Sequence, residues 1–381
     1  MSLRKRKQLL IIRGSSQYLD IDKYNVQEIG LGKILVDRNW DVTVYTSGEK
    51  AETRIINEYL RWIQVRRYLG KYGWPSEIRK FLKGADPDII QCQDLSNFAT
   101  IMPFIIKNIK APIVLSLGEY YPKSKLTSIF NKVASMIIKK RTKLVLCKTK
   151  QSLDYAKQLG FNNIQYAPVG IDDEQFIEDI NDNKLEQKLE LIKQNISDGK
   201  RILCHIGRLD KADNHVFLSN VIEQLSDNYR LILVGGPVPN IQHKCIYYFG
   251  KLPNNNIGPI LKYSDLYLSC SSYEPFGLSA VESIYNGCPV IGFATGGLHE
   301  TVKNNVNGIL VNNRDSKKWA ELIDNLFETN EIQGLKNGCL ATKETLTWST
   351  RANIYQESYE KTLNTKKNST DHNSQTKAHL L

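Results

Sequence analysis

The chain has 381 residues, 41% apolar and 24% charged, with a formal net charge of +11. That length exceeds one ordinary core and fits two globular domains. No stretch reaches the ~18 apolar residues of a membrane span, so composition excludes an integral helical membrane protein. Seven cysteines, at 92, 147, 204, 245, 270, 288 and 339, form no CxxC pair. Lying in apolar runs, they are expected as free buried thiols of a reducing cytosol.

Arg4-Lys-Arg-Lys7 followed by Leu9-Leu-Ile-Ile12 imitates a signal peptide. The apolar part is too short and no small-residue cleavage site follows, so it reads as a first strand. Further strands are expected at Asp41–Thr46, Asp88–Cys92, Pro112–Leu117, Lys143–Cys147 and Asn163–Ala167. Helical patterns at Val26–Asn39 and Ser96–Asn108 separate them. Strand alternating with helix predicts an open parallel sheet covered on both faces.

Charge is uneven. Residues 1–170 hold 29 Lys and Arg against 14 Asp and Glu, and the remainder 22 against 26. Residues 54–83 have eight basic and two acidic side chains, and residues 123–150 nine basic and none acidic. Both stretches carry apolar residues at helical spacing, among them Trp62, Tyr68, Trp74 and Ile137-Ile138. A basic amphipathic surface favours an anionic membrane or a phosphate-bearing partner. The competing reading is a solvated helix face with ordinary core contacts. No RNA- or DNA-binding motif supports a nucleic-acid partner.

The alternation pauses after Pro168-Val-Gly-Ile-Asp172, and residues 173–199 read as a linker helix. It restarts with strands at Arg201–Ile206, Arg230–Val234, Ile246–Phe249, Leu266–Cys270, Pro289–Phe293 and Gly308–Val311. Two Rossmann-like domains follow, residues 1–172 and 200–347, with the site expected in a cleft between them, at the carboxyl ends of the strands. Residues 348–365 read as a last helix with Ser349 as N-cap, and 366–381 as a disordered polar tail.

The most informative stretch is Ser271-Ser-Tyr-Glu-Pro-Phe-Gly-Leu-Ser-Ala-Val-Glu-Ser283. It reads as a strand end, a turn, and a helix running from Phe276 to Asn286-Gly287, with Pro275 in the first turn and Gly287 as the stop. The free N–H groups of that helix start suit a diphosphate, and Gly277 permits close approach. Glu274 at its mouth can accept hydrogen bonds from sugar hydroxyls. Glu282, two turns on, can accept the vicinal diol of a ribose. Arg208, at a strand end in Ile206-Gly-Arg-Leu209, can neutralise a diphosphate. Leu233-Val-Gly-Gly236 and Phe249-Gly-Lys-Leu-Pro253 end strands on the same rim. Spacing alone leaves open a capped helix with one solvated and one salt-bridged glutamate.

Taken with Asp265 and Gly296-Gly297, these elements make the chain resemble the retaining GT-B glycosyltransferases of family 4, over nearly its whole length to about residue 362. The resemblance implies that Glu274 contacts the donor sugar and that Arg208 stabilises the leaving diphosphate. It places Pro275, Phe276, Gly277, Leu278, Lys211 and Gly235 around the donor, with Glu282 on the ribose. It implies a nucleotide-sugar donor of UDP or GDP type, no metal and no other cofactor. Tyr24-Asn-Val-Gln-Glu-Ile-Gly30 and Lys148-Thr149 resemble a bacterial polysaccharide subgroup, which implies a lipid-linked or oligosaccharide acceptor in exopolysaccharide or capsule assembly. Asn25, Glu28, Gln93, Asp94 and Glu119 are the acceptor-side candidates, and the location implied is the inner face of the plasma membrane. The chain departs from the family at Asp213 and Asn214, where a lysine is usual, at Gln93, where a histidine is usual, and at Asn25, where a glycine is usual. Those departures motivate a second reading, a partner subunit that binds a glycan or an active homologue without turnover. Asp20-Ile-Asp22 lies in a loop too early to be a metal-binding DxD, and His205 reads as a core histidine.

Overall fold

The computed structural model describes residues 5–14, 21, 26–48, 50–66, 76–95, 98–118, 121, 124–176, 183–209, 214–237, 243–272 and 274–378. The chain divides into two units. The first joins the N-terminal strand and residues 26–170 to the segment from Trp348 onward, and the second is built chiefly from residues 171–347.

In the first unit the chain runs β1 (Lys7–Arg13), α1 (Gln27–Asp37), β2 (Trp40–Gly48), β3 (Glu52–Asn57), β4 (Leu60–Arg66) and α2 (Ser76–Gly84). It continues through β5 (Ile89–Gln93), α3 (Phe98–Ile105), β6 (Ile113–Leu117), α4 (Lys125–Ile138), β7 (Thr142–Cys147), α5 (Lys150–Gln158) and β8 (Ile164–Tyr166). The eight strands form one sheet in the order β3-β4-β2-β1-β5-β6-β7-β8, parallel except for β3. Continuous apolar runs such as Leu9-Leu-Ile-Ile12 are buried on both faces, the signature of a covered parallel sheet. α1 comes close to β4 because Gly32 has no side chain: a Cβ there would stand 2.6 Å from Leu60 Cδ1.

Residues 52–66 correct the expectation of a basic amphipathic helix. They form an antiparallel hairpin. In β4 Leu60, Trp62 and Gln64 point inward, alternating with the less buried Arg61, Ile63 and Val65. This period of two, with β-branched and aromatic residues, outcompetes the helical spacing. Tyr68 and Trp74 lie outside the described residues. The second basic stretch is helical only in its first half, as α4; strand β7 follows, and the stretch ends at the first residue of α5.

The second unit holds α6 (Asn183–Ser197), β9 (Arg201–Arg208), α7 (Asn214–Gln224), β10 (Tyr229–Gly236), β11 (Ile246–Gly250), α8 (Ile257–Lys262), β12 (Leu266–Ser269) and α9 (Leu278–Tyr285). Then come β13 (Val290–Phe293), α10 (Leu298–Thr301), β14 (Gly308–Val311), α11 (Ser316–Glu328) and α12 (Glu331–Thr342). Its six strands are parallel, in the order β11-β10-β9-β12-β13-β14. α6, expected as a linker, belongs to this unit: Leu185, Leu189 and Ile192 are buried, and Lys188 Nζ donates to Phe249 O at 2.9 Å. The ends of the unit meet, since Ile171 pairs with Thr347 and its N–H donates to Leu346 O at 3.0 Å.

The last helix, α13 (Trp348–Ala378), returns to the first unit. Tyr355 Oη donates to Ala167 O at 2.8 Å, Tyr359 Oη to Gln91 Oε1 at 2.5 Å, and the Tyr359 ring meets Trp40 edge-on at 5.7 Å. The helix starts one residue before Ser349, so Ser349 lies inside it. It also continues past residue 365, where the expected tail begins; no proline or glycine follows Trp348 to stop it. All seven cysteines are free and buried.

Candidate functional site

Because the second sheet is wholly parallel, the carboxyl ends of its strands share one edge. At that edge β9 ends in Gly207-Arg208, aligned with Gly235 and Gly236 of β10. Gly235 has φ 136°, and a Cβ there would stand 1.8 Å from Gly207 O, so the two backbones touch as only glycine allows. Tyr248 Oη donates to Gly235 O at 2.6 Å. The Lys251 side chain lies over Gly236, with Cε 2.7 Å from where a Cβ would be. Arg208 is exposed, and its carbonyl accepts from Asn214 Nδ2 at 3.3 Å. Asn214 Oδ1 in turn accepts from Arg314 Nη2 at 3.1 Å, and the Arg314 guanidinium sits 4.9 Å above the Phe217 ring. The edge therefore carries three cationic side chains, of which the sequence reading singled out Arg208 alone. Lys251 and Arg314 each follow a strand end, the signal that would have found them. Lys211 and Asp213 lie outside the described residues.

The Glu274 loop leaves the end of β12 and turns into α9. Gly277, at φ 82° and ψ 48°, precedes the helix. This left-handed residue moves the helix start from the expected Phe276 to Leu278, so Pro275 sits in the bend rather than in the first turn. Glu274 is half-buried, and its Oε1 accepts from the Gly277 N–H at 3.0 Å. Its carbonyl accepts from the Gly297 N–H at 2.7 Å. A Cβ on Gly297 would stand 2.1 Å from Phe276 Cα, and one on Gly277 would stand 2.8 Å from Leu298 Cδ2. The two loops are thus locked backbone to backbone, which fixes Glu274, Phe276 and the first turn of α9 together. Glu282 is buried on α9, and the helix stops at Asn286-Gly287, with Gly287 at φ 82° as expected. A buried carboxylate at this depth is tolerated where it is hydrogen-bonded or paired.

Two other residues are structural. Asp265 Oδ2 accepts from Ile202 N at 2.8 Å and its Oδ1 from Lys336 Nζ at 2.7 Å, which ties it to the start of β9, the sheet edge opposite Gly207. His205 is buried in β9, with Nδ1 donating to Leu268 O at 2.7 Å, and burial pushes its pKa down.

In the first unit, the acceptor-side candidates gather at the carboxyl ends of β1, β5, β6 and β7. Arg13 is aligned with Gln93, and its Nη1 lies 2.6 Å from Glu28 Oε2. Glu28 is buried; burial raises its pKa, but Arg13 and Lys148 together hold it below the ordinary carboxylate value. Gln93 is buried with no hydrogen-bond partner at Oε1. Asp94, at φ 57°, accepts from the Gly118 N–H at 2.8 Å. Lys148 reaches over Gly118 and donates to Gln27 Oε1 at 3.3 Å. Arg13 and Lys148 are additions to the sequence-based set. Asn25 and Glu119 lie outside the described residues. Among the described residues, no group of three or more His, Cys, Asp or Glu side chains is arranged to hold a metal ion.

Comparison with solved structures identifies the architecture. Over 93% of this chain and 100% of the other, the fold matches Anabaena HepE in complex with UDP and glucose, with a TM-score of 0.71 at 17% identity. Sucrose-phosphate synthase from Thermosynechococcus elongatus matches over 93% of this chain and 99% of its own, with a TM-score of 0.73 at 18% identity. The chain has the GT-B fold. Within it, residues 186–334 match the family described as Glycosyl transferases group 1. That segment contains Arg208, Gly235, Glu274, Glu282 and Arg314. An uncharacterized 41.2 kDa protein in the cps region of Klebsiella pneumoniae is 30% identical over 148 residues, 36% of this chain and 41% of that protein. A D-inositol 3-phosphate glycosyltransferase of Xylanimonas cellulosilytica is 26% identical over 140 residues, 33% of this chain and 34% of its own length. The chain thus spans well under half the length of these curated relatives.

Proposed function

We propose that this GT-B protein transfers a sugar from a nucleoside-diphosphate sugar to a hydroxyl of a glycan acceptor, with retention of anomeric configuration. The observation that carries the reading is the locked Glu274 loop. It leads into α9 with Glu282 about one turn along, inside the segment that matches the glycosyltransferase family. A solved relative in fold holds UDP and glucose, which supports a donor of this kind.

In this reading Glu274 accepts hydrogen bonds from the donor sugar and Glu282 accepts the ribose hydroxyls. Pro275, Phe276, Gly277 and Leu278 present backbone to sugar and phosphate, with Gly235 on the nucleotide side. Arg208, with Lys251, Arg314 and Lys211 as further cations, stabilises the charge that develops on the diphosphate. Cations aimed at that developing charge usually make the largest single contribution to lowering such a barrier. The bond from the anomeric carbon to the diphosphate oxygen breaks, and its electron pair leaves with the phosphate. The acceptor oxygen bonds to the same face of that carbon, and its proton passes to the departing phosphate oxygen. No metal enters these steps. The first unit, with Glu28, Gln93 and Asp94 at its strand ends, takes the acceptor, for which we propose a lipid-linked oligosaccharide of cell-surface polysaccharide assembly, held at an anionic membrane surface. The similarity to a cps-region protein supports that setting.

The test is thermal shift of the purified protein with UDP, GDP, ADP and their sugars, beside Glu282→Ala and Arg208→Ala. A nucleotide at ~100 times its Kd adds about 2.7 kcal/mol of stability. One nucleotide class is expected to raise Tm, and both variants to lose the rise. No shift with any nucleotide moves the reading to a non-catalytic partner subunit.

A further inference from the structure

Helix α4 carries apolar residues on two faces. The inner one is narrow: Ala134 and Ile138 join the core, beside the buried Ser135 and Asn131, whose Nδ2 donates to Tyr155 Oη at 3.0 Å. Its outer face is apolar, with Leu126, Ile129, Val133, Met136 and Ile137 between 51% and 80% exposed. The helix is well formed, since Ser124 Oγ caps it by accepting from Thr127 N at 3.1 Å. An ordinary core contact would turn those five side chains inward, and a solvated face would not carry them. A contiguous apolar stripe of this kind marks an interaction surface.

Charge indicates the partner. Lys125, Lys132 and Lys139, spaced seven apart, run along one border of the stripe, and Lys140 follows its end. Residues 123–150 contain no Asp or Glu. Beyond Lys140, a cavity of about 430 Å³ is lined by Lys110, Lys140, Arg141, Lys143, Thr362 and Thr365, among others. Arg141 is fixed there by bonds to the carbonyls of Pro103, Phe104, Ile106 and Ile109. At ~1.5 Å per residue the helix is about 20 Å long, short of the ~30 Å hydrocarbon core, so it would lie in the interface rather than span it. A second copy of the chain packed antiparallel on this stripe would bring the same lysines to one side of the contact.

We propose that α4 is a docking helix for anionic lipid bilayers. Its apolar stripe inserts at the headgroup boundary, its lysines meet lipid phosphates, and the cavity at its end receives a phosphate headgroup. This deepens the membrane-surface part of the proposed function by naming the surface. It needs neither donor nor acceptor.

The test is co-sedimentation of the full chain with phosphatidylcholine vesicles, alone or with phosphatidylglycerol added. The variants are Ile129→Ser/Val133→Ser/Met136→Ser and Lys125→Gln/Lys132→Gln/Lys139→Gln, with circular dichroism verifying their fold. Binding to the anionic vesicles alone is expected. The lysine variant should weaken it roughly a hundredfold, and the serine variant by more than about tenfold. Absence of binding to anionic vesicles overturns the proposal. So does binding that the serine variant leaves unchanged, or a lipid-free dimer that the serine variant abolishes. Nucleotide thermal shift of the same preparations separates this outcome from a failure of the donor-site reading.

Discussion

At Gly297 one methyl group decides whether the Glu274 loop can form. A Cβ there would fall on the backbone of Phe276, 2.1 Å from Cα and 2.5 Å from C and O, with no flexible side chain to give way. Gly297→Ala is expected to cost about 1–3 kcal/mol and to reduce the thermal shift with nucleotide, because the loop must separate from its neighbour. Glu28 gives a pH test. Its folded pKa lies below the ordinary 4.5 because Arg13 and Lys148 outweigh burial. Its contribution is therefore fully present above about pH 4.5 and is lost as pH falls through the lower folded value. Glu28→Gln should cost about 1–3 kcal/mol near neutral pH in urea unfolding. The difference from the parent should shrink below pH 4.5, whereas a pH-independent difference would mean packing alone. The carboxylates were legible in the sequence because Glu274 and Glu282 share one short motif. Arg314 and Arg13 stand at or just after strand ends, but the neighbours that hold them, Asn214 and Glu28, come from elements that only the fold brings near.

Among the elements, the parallel strands were readable because burial on both faces leaves unbroken apolar runs. All twelve expected strands form, with ends displaced by at most two residues. The β3–β4 hairpin was not, because its basic residues and wide apolar spacing also fit a helix, and only pairing with β2 settles the period. Trp62 fixes that pairing, being fully buried on β4 opposite Val44. Trp62→Ala is expected to destabilise the protein by about 3–5 kcal/mol in urea unfolding. A loss below about 1 kcal/mol would mean that the hairpin is not part of the cooperative core. The start of α9 was misjudged for a local reason: a Pro-Phe-Gly sequence suits a first helical turn until Gly277 turns left-handed against Leu298.

For the molecule as a whole, the two units differ in how the chain builds them. The second is built chiefly from one continuous segment whose ends meet at Ile171 and Thr347, while the first is assembled from both ends of the chain. A fragment of residues 171–347 is therefore expected to fold alone, and in the proposed function to keep the nucleotide thermal shift. A fragment without a cooperative melt would show that it needs the first unit. The return of α13 also sets an order in time. A ribosome completes the core of residues 171–347 while Trp40 and Gln91 still await Tyr359. The unit whose strands are made first is thus the last to receive its closing helix, and until then Trp40 and Gln91 lack the ring and hydroxyl of Tyr359.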